Sequence, residues 1–473
     1  MAHFDRILRG GAVVDPVNGL AGETMDIALK DGRVAEVAPH VEGSADEVED
    51  LTGLTVMPGL IDPHLHLGTS FGSPYGTRMA ALAGVTTCLD MAGPVADILK
   101  WAPQTGSGIN VAMLEGFSPK ALFGTLSPTR AQIRSFVQSA VASGAIGVKL
   151  MGGHWPLPLE TCRMVVEEAN DLGFYVAWHA GSTTAGSDLK GMIEAVETAK
   201  GYKLHLAHIN AYCRGRVKDA AEESRDAVQM LIDNPNIWSE SYVSPLNGTM
   251  LACGPDGTVI DHVTQNCLHT FGLPPTADGL RTAFRTGRLY AIRDSGVVSE
   301  LIAGADALAY WEKAGTDCAG SFPVNPAISR LAVASAKRPD GTFAVDAIST
   351  DGGCIPRNVT LAVGLSLVKF GALTLSEFVV KASVAAARHL RLADRGHLTP
   401  GKAAADVTVF DYERQRAVET IVGGRTVMKD GKLFGSGLQF VTTKAGQASL
   451  EAAGWRTILT DFSGDEPARF RLA

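Results

Sequence analysis

The sequence predicts an α/β fold, a (β/α)8 TIM barrel carrying a small β-sandwich domain formed from both chain ends. Three observations predict it. Short apolar runs alternate with helix-like segments through the middle of the chain, the two ends share a strand-rich texture, and histidines stand at the ends of several of the apolar runs. At 473 residues the chain exceeds one ordinary core. It fits a barrel of about 250 residues or more with a smaller second unit.

The elements follow in order. Residues 7–15 and 26–34 are β-rich, the second run broken by the hairpin signal Asp31-Gly32. The same texture returns at 406–411, 420–424 and 429–432, so 1–56 and 398–440 are read as one small β-sandwich domain. Between them, 57–397 reads as the barrel. Strands are expected at 84–91, 109–115, 145–151, 174–180, 203–209 and 237–243, with helices at 129–143, 159–172, 189–200 and 215–232. Such alternation means parallel strands with crossover helices. A strand before His64 and one ending near Asp351 bring the count to the eight a closed barrel needs. Regularity fails at 246–345, which is rich in Gly and Pro and reads as a lid or inserted subdomain, and the tail 441–473 is left without a role.

Composition excludes some functions. An apolar fraction of 46% and a charged fraction of 19% are those of a folded protein. A net charge of −8 and a pI near 5.9 argue against nucleic acid and anionic membranes as partners. Seven cysteines, odd in number and without a CxxC pair, read as reduced thiols. The chain lacks the basic start and apolar run of a signal peptide, and no apolar stretch reaches the roughly 18 residues of a membrane span. A cytoplasmic protein acting on a small molecule is expected.

The chemistry lies in the strand ends. His64 and His66 close the run 58–66, and alternation along a strand points both to one side. His179 ends 175–179, His205 and His208 lie in 204–209, and Asp351 ends 347–351. Barrel active sites are built at such ends, and imidazole with carboxylate suits zinc, manganese, cobalt or iron. Lys149 ends another apolar run, where an ammonium must be buried or lose its charge. Carboxylation by CO2 would make it an anionic ligand; snorkelling to the barrel mouth or binding substrate is the other reading.

Taken together the residues resemble the amidohydrolase superfamily over about 5–435. The resemblance is carried by Gly-Gly-Ala-Val-Val-Asp-Pro and Asp-Gly-Arg-Val near the start, the run Met57 to His66, Gly84-Val85-Thr86-Thr87, and Gly396-His397-Leu398-Thr399-Pro400-Gly401-Lys402 before Ala405-Asp406-Val407. It implies a metal-dependent hydrolase of an amide or cyclic amide C–N bond: an imide, a hydantoin-like ring or an N-acyl amino acid. It further implies two divalent ions, zinc foremost. His64, His66 and Asp351 would hold the buried ion, His179 and His208 the more exposed one, and a carbamate on Lys149 would bridge them. The nucleophile would be a bridging hydroxide, with Asp351 as general base and then acid. His205 reads as a core histidine. Relatives imply a homo-oligomer, dimer or tetramer.

Departures narrow the resemblance. Dihydroorotases carry an Arg where this chain has Gly68, which argues against dihydroorotate. Hydantoinases place a Tyr oxyanion donor where this chain has His154. The long segment after the seventh strand is similar to an insertion in N-acyl-D-amino-acid deacylases, whose Cys ligand has no clear counterpart here. Substrate contacts are expected from Asn210, Tyr212, Arg214, Tyr242 and Gly352; Arg214 could hold a carboxylate, though capping a surface helix is preferred. Two rival functions stand beside this reading. One is a mononuclear deaminase of a heterocycle. The other is a non-catalytic scaffold relative, which would have lost ligands.

Overall fold

A computed structural model describes residues 2–68 and 73–472. The N-terminal strands are β1 (His3–Asp15), β2 (Leu20–Lys30), β3 (Arg33–Ala38), β4 (Ser44–Asp50) and β5 (Thr55–Pro58). The expected hairpin joins β2 to β3, with Asp31 and Gly32 at φ 51° and 72°, the left-handed pair such a two-residue turn demands.

The barrel strands are β6 (Leu60–His66), β7 (Val85–Ala92), β8 (Ser107–Gly116), β9 (Gly147–Met151), β10 (Tyr175–His179), β11 (Leu204–Leu206) and β12 (Ile237–Tyr242). After β12 come β13 (Asn247–Met250), β14 (Tyr290–Asp294), β15 (Ser299–Ile302) and β16 (Ala319–Phe322). The eighth barrel position is split into β17 (Ala347–Ser349), which pairs with β12, and β18 (Gly352–Gly353), which pairs with β6. The Asp351 amide donates to the His64 carbonyl at 2.9 Å and closes the ring. All barrel pairings are parallel, and helices such as Arg130–Ala142 and Leu159–Asp171 cover the outside. The first of these starts on a capping box between Thr129 and Gln132, which satisfies its orphan amides.

The chain then returns through β19 (Val407–Asp411), β20 (Arg416–Val422), β21 (Arg425–Lys429) and β22 (Lys432–Leu433). These join β1–β5 in one sheet, ordered β22-β21-β20-β19-β5-β1-β2-β3 with β4 on β1. One sheet is thus built from both ends. Val13, Ile27, Val407 and Ile421 share its core.

Two regions go beyond the sequence reading. The irregular stretch after β12 contains a small antiparallel sheet, ordered β13-β16-β14-β15, around its own core of Leu251, Phe284, Trp311 and Phe322. Its strands are four or five residues long, too short to show a period. The tail contributes β23 (Gly437–Thr442) and β24 (Arg456–Leu459). β8 extends below β9, whose pairing begins only at Leu114↔Gly147, and β23 covers that lower edge at Ser107–Ala112. An unpaired strand edge is thereby satisfied. No helix among the described residues is long and apolar enough to cross a membrane.

Candidate metal centre

Each side chain of the centre is delivered by the end of a barrel strand. β6 brings His64 and His66, β9 Lys149, β10 His179, the turn after β11 His208, and the break between β17 and β18 Asp351. The sixth strand is shorter than expected because the chain turns at His208, whose φ is +36°. Asp351 stands at +50°. Positive φ in a non-glycine residue costs free energy and persists where surroundings enforce it. At Asp351 they do: its amide is held by His64 and its carbonyl accepts from Arg357 Nε at 2.6 Å.

The six side chains line one cavity of about 550 Å³. Asp351 Oδ1 lies 2.9 Å from His66 Nε2 and 3.3 Å from His64 Nε2, while Oδ2 faces Arg357 at 2.7 Å. Donor atoms of His64, His208 and Asp351 lie within 4.8 Å of one another. His208 Nε2 and His179 Nδ1 are 3.1 Å apart. Gly153 makes room for this ring: a Cβ there would stand 2.0 Å from His179 Nε2.

Burial favours the neutral form of three of the imidazoles, the form that can ligate. It lowers His64, and it drives His179 and His208 well below the ordinary histidine value. Burial pushes the Asp351 carboxyl up, but Arg357 and His64 outweigh it and hold it well below the usual carboxylate range. Burial also draws the Lys149 ammonium down to about 8. Its Nζ contacts Met91 Sδ at 3.3 Å, and among the described residues no carboxylate lies within ion-pair distance. The shift raises the fraction of neutral amine, the form that adds CO2, above that of an exposed lysine.

Of the other expected contacts, His154, Arg214 and Tyr242 line the cavity. Asn210, Tyr212 and Gly352 do not. The short turn Ile209–Tyr212 aims the first two into the barrel wall, where Asn210 Oδ1 accepts from Ser241 Oγ and Tyr212 OH accepts from the Ala180 amide at 2.8 Å. Gly352 is taken up in the pairing of β18 with β6. His205 is a core residue, its Nδ1 2.7 Å from Tyr175 OH.

Sequence reading missed three buried carboxylates. Glu240 receives His64 Nδ1 and the His208 amide, both at 2.6 Å, and the Ser349 hydroxyl. It stays ionised well below its ordinary range, His64 outweighing the cost of burial. Asp62, raised by burial to about 7, holds the Thr350 hydroxyl at 2.6 Å beneath the ligand strands. Asp90 takes the Leu67 and Gly93 amides at 2.7 and 2.6 Å. The signal was a single carboxylate in each of three barrel strands.

Comparison with known proteins bears on the family and the fold. The profile of the amidohydrolase family matches residues 55–223. The chain is similar to a dihydroorotase of Geobacter metallireducens, 27% identical over 435 residues, covering 86% of this chain and 89% of that protein. An allantoinase of Rubrobacter xylanophilus is 40% identical to the chain over 96 residues, 19% of this chain and 20% of the relative. The fold resembles that of N-acyl-D-glutamate deacylase from Bordetella bronchiseptica, solved with zinc and a phosphonate inhibitor: TM-score 0.66, 16% identity, 93% of this chain and 99% of that one.

Proposed function

We propose that this amidohydrolase cleaves the C–N bond of a small non-peptide amide, an imide, hydantoin-like ring or N-acyl amino acid, with two divalent metal ions. One observation carries the reading: four histidines, Asp351 and a desolvated Lys149 converge on one cavity from four strand ends and the turn after β11. The neutral imidazoles and the anionic carboxylate fit a divalent cation, and zinc suits the set. His64, His66 and Asp351 would hold one ion and His179 and His208 the second, with Lys149 as a bridging carbamate. When bound, such ions make water nucleophilic near neutral pH and polarise a carbonyl.

The protein's own groups supply the rest. Asp351 takes the proton of the attacking water and returns it to the leaving nitrogen. Arg357 fixes which carboxylate oxygen faces the imidazoles. His154, whose ring meets that of His179 edge-on at 5.5 Å, is placed to donate to the oxygen that gains charge.

Gly68 narrows the substrate. A Cβ there would stand 2.4 Å from the Gly93 carbonyl, so an arginine at this place would displace backbone. The dihydroorotase pattern is therefore closed to this chain, despite its similarity to a protein of that name. The test is turnover by zinc-loaded protein on N-acyl amino acids, hydantoins and cyclic imides. Release of amine or ring-opened acid that stops on chelation and returns with metal supports the reading; activity indifferent to chelation overturns it.

A further inference from the structure

The cavity contains more positive charge than its carboxylates answer. Arg357 is paired with Asp351. Arg214 is not paired with any acid among the described residues. Its Nε donates to Asn325 Oδ1 at 2.8 Å, and its Nη2 donates to Tyr242 OH and Asn247 Oδ1, both at 2.9 Å. Every one of these acceptors is neutral. Arg216 also lines the cavity, exposed, with no hydrogen-bond or ion-pair partner among the described residues. The carboxylates near it are engaged elsewhere. Asp188 caps the helix Leu189–Thr198, and Glu223 accepts the amides of Gly215, Val217 and Lys218 at 2.6, 2.6 and 3.0 Å.

In a chain of net charge −8, two arginines two residues apart thus face one cavity, and among the described residues neither has an ion-pair partner. Neighbouring guanidiniums repel one another, and an oxyanion between them removes that cost while its planar edge matches the fork. The pair also lies within reach of the reacting centre. Tyr242, which holds Arg214, has its ring 6.2 Å from that of His208. Arg214 is therefore fixed by the cavity wall and caps no surface helix.

We propose that Arg214 and Arg216 form a subsite for a carboxylate on the substrate. This rests on the hydrolase reading above and deepens it: among the amides considered there, it selects N-acyl amino acids and other anionic amides over neutral rings. The carboxylate sits at the arginines while the amide carbonyl meets the histidine cluster. The subsite takes the role that Gly68 denies to an arginine after β6.

The experiment compares N-acetyl-leucine with N-acetyl-leucinamide, both enantiomers, on the metal-loaded enzyme. The acid should be favoured by about 100-fold in kcat/KM, the scale of one or two charge-assisted hydrogen bonds. In Arg214→Met/Arg216→Met the preference should fall to near parity through KM, whereas Arg225→Met on an exposed helix should leave it unchanged. Equal rates in the native enzyme, or a preference that survives the double substitution, would overturn the subsite. A binding arm separates its failure from failure of the hydrolase reading. Calorimetry should show 4-methylpentanoate binding the native enzyme, 4-methylpentanamide binding far more weakly, and the acid lost on double substitution. Binding of this pattern without any turnover would sink the hydrolase reading and keep the subsite. Turnover without acid preference would do the reverse. A phosphonate of the same skeleton that binds tenfold tighter than the carboxylate would reassign the arginines to a phosphate-class anion.

Discussion

His205 and His208 lie three residues apart, both buried, yet they belong to opposite ends of the barrel. His208 leaves β11 at positive φ and joins His64, His179 and Asp351 around a polar cavity. His205 stays in β11, edge-on to Trp238 at 4.4 Å and bonded to Tyr175. Around it His389 stacks on Trp238 at 3.9 Å, and Glu466 of the tail approaches His389 at 3.5 Å. The cavity beside it is lined by Trp238, His389 and Glu466 and by neither His205 nor any of the clustered ligands. A groove of about 970 Å³ elsewhere, lined by residues such as Leu172, Arg391 and Lys444, includes none of the clustered ligands. The lesson is that a buried imidazole carries no function by itself. Strand ends and a carboxylate convert it.

The sharpest way to break the comparison is at Asp351. Asp351→Asn should lower kcat by about 10²- to 10⁴-fold, with metal content largely retained by elemental analysis. His205→Gln should leave kcat within about a factor of a few, as expected for a residue that touches no reacting group. An active Asp351→Asn, or a dead but folded and metallated His205→Gln, would reverse the roles assigned to the two ends.

The next effect in size concerns Glu240, the carboxylate that both ends share. It bonds His64 Nδ1, fixing the Nε2 lone pair toward the cavity, and lies 3.6 Å from His205 Nε2. Outer carboxylates of this kind are worth about 10- to 100-fold in metal affinity. Glu240→Gln should weaken binding by that factor in a competition titration against a chromogenic chelator. Unchanged affinity would make Glu240 a core residue of the lower end only.

The smallest effect is on pH-dependent stability. Burial lowers His205 to about 3, and His64, His179 and His208 are also lowered. A histidine depressed in the fold adds no pH dependence above its unfolded value near 6.5. Below that value it withdraws stability, because the unfolded state takes the proton first. Each such group contributes a slope of up to about 1.4 kcal/mol per pH unit. Metal-free protein should therefore lose Tm progressively from pH 6.5 downward, and His205→Gln should flatten that slope. A slope that His205→Gln leaves intact would mean that His205 is protonated in the fold.

Much of the centre was legible because strand periodicity and residue type agree there. His64 and His66 share a face by parity, and Asp351 ends an apolar run. His208 needed more, since parity is lost where the backbone turns left-handed. Glu240 carried a signal in Ile237–Tyr242, the one charge in that barrel strand, that a search for histidines passes over. Arg214 and Arg216 were visible as charges after a strand, but their lack of acidic partners appears only in three dimensions. The insert and the tail were opaque for another reason. The short strands of β13–β16 are defined by cross-strand partners, and β23 by an edge of β8 more than 300 residues earlier in the chain.

The most direct measurement is metal stoichiometry by elemental analysis after reconstitution with zinc and bicarbonate, in native protein and in Lys149→Ala. The proposed function predicts about two ions per native chain and one or none in the variant, because a carbamate can bridge only if the amine is present. A native chain that binds no ion, or a Lys149→Ala chain that keeps two, would contradict it. A single ion with unmodified Lys149 would return the centre to the mononuclear alternative.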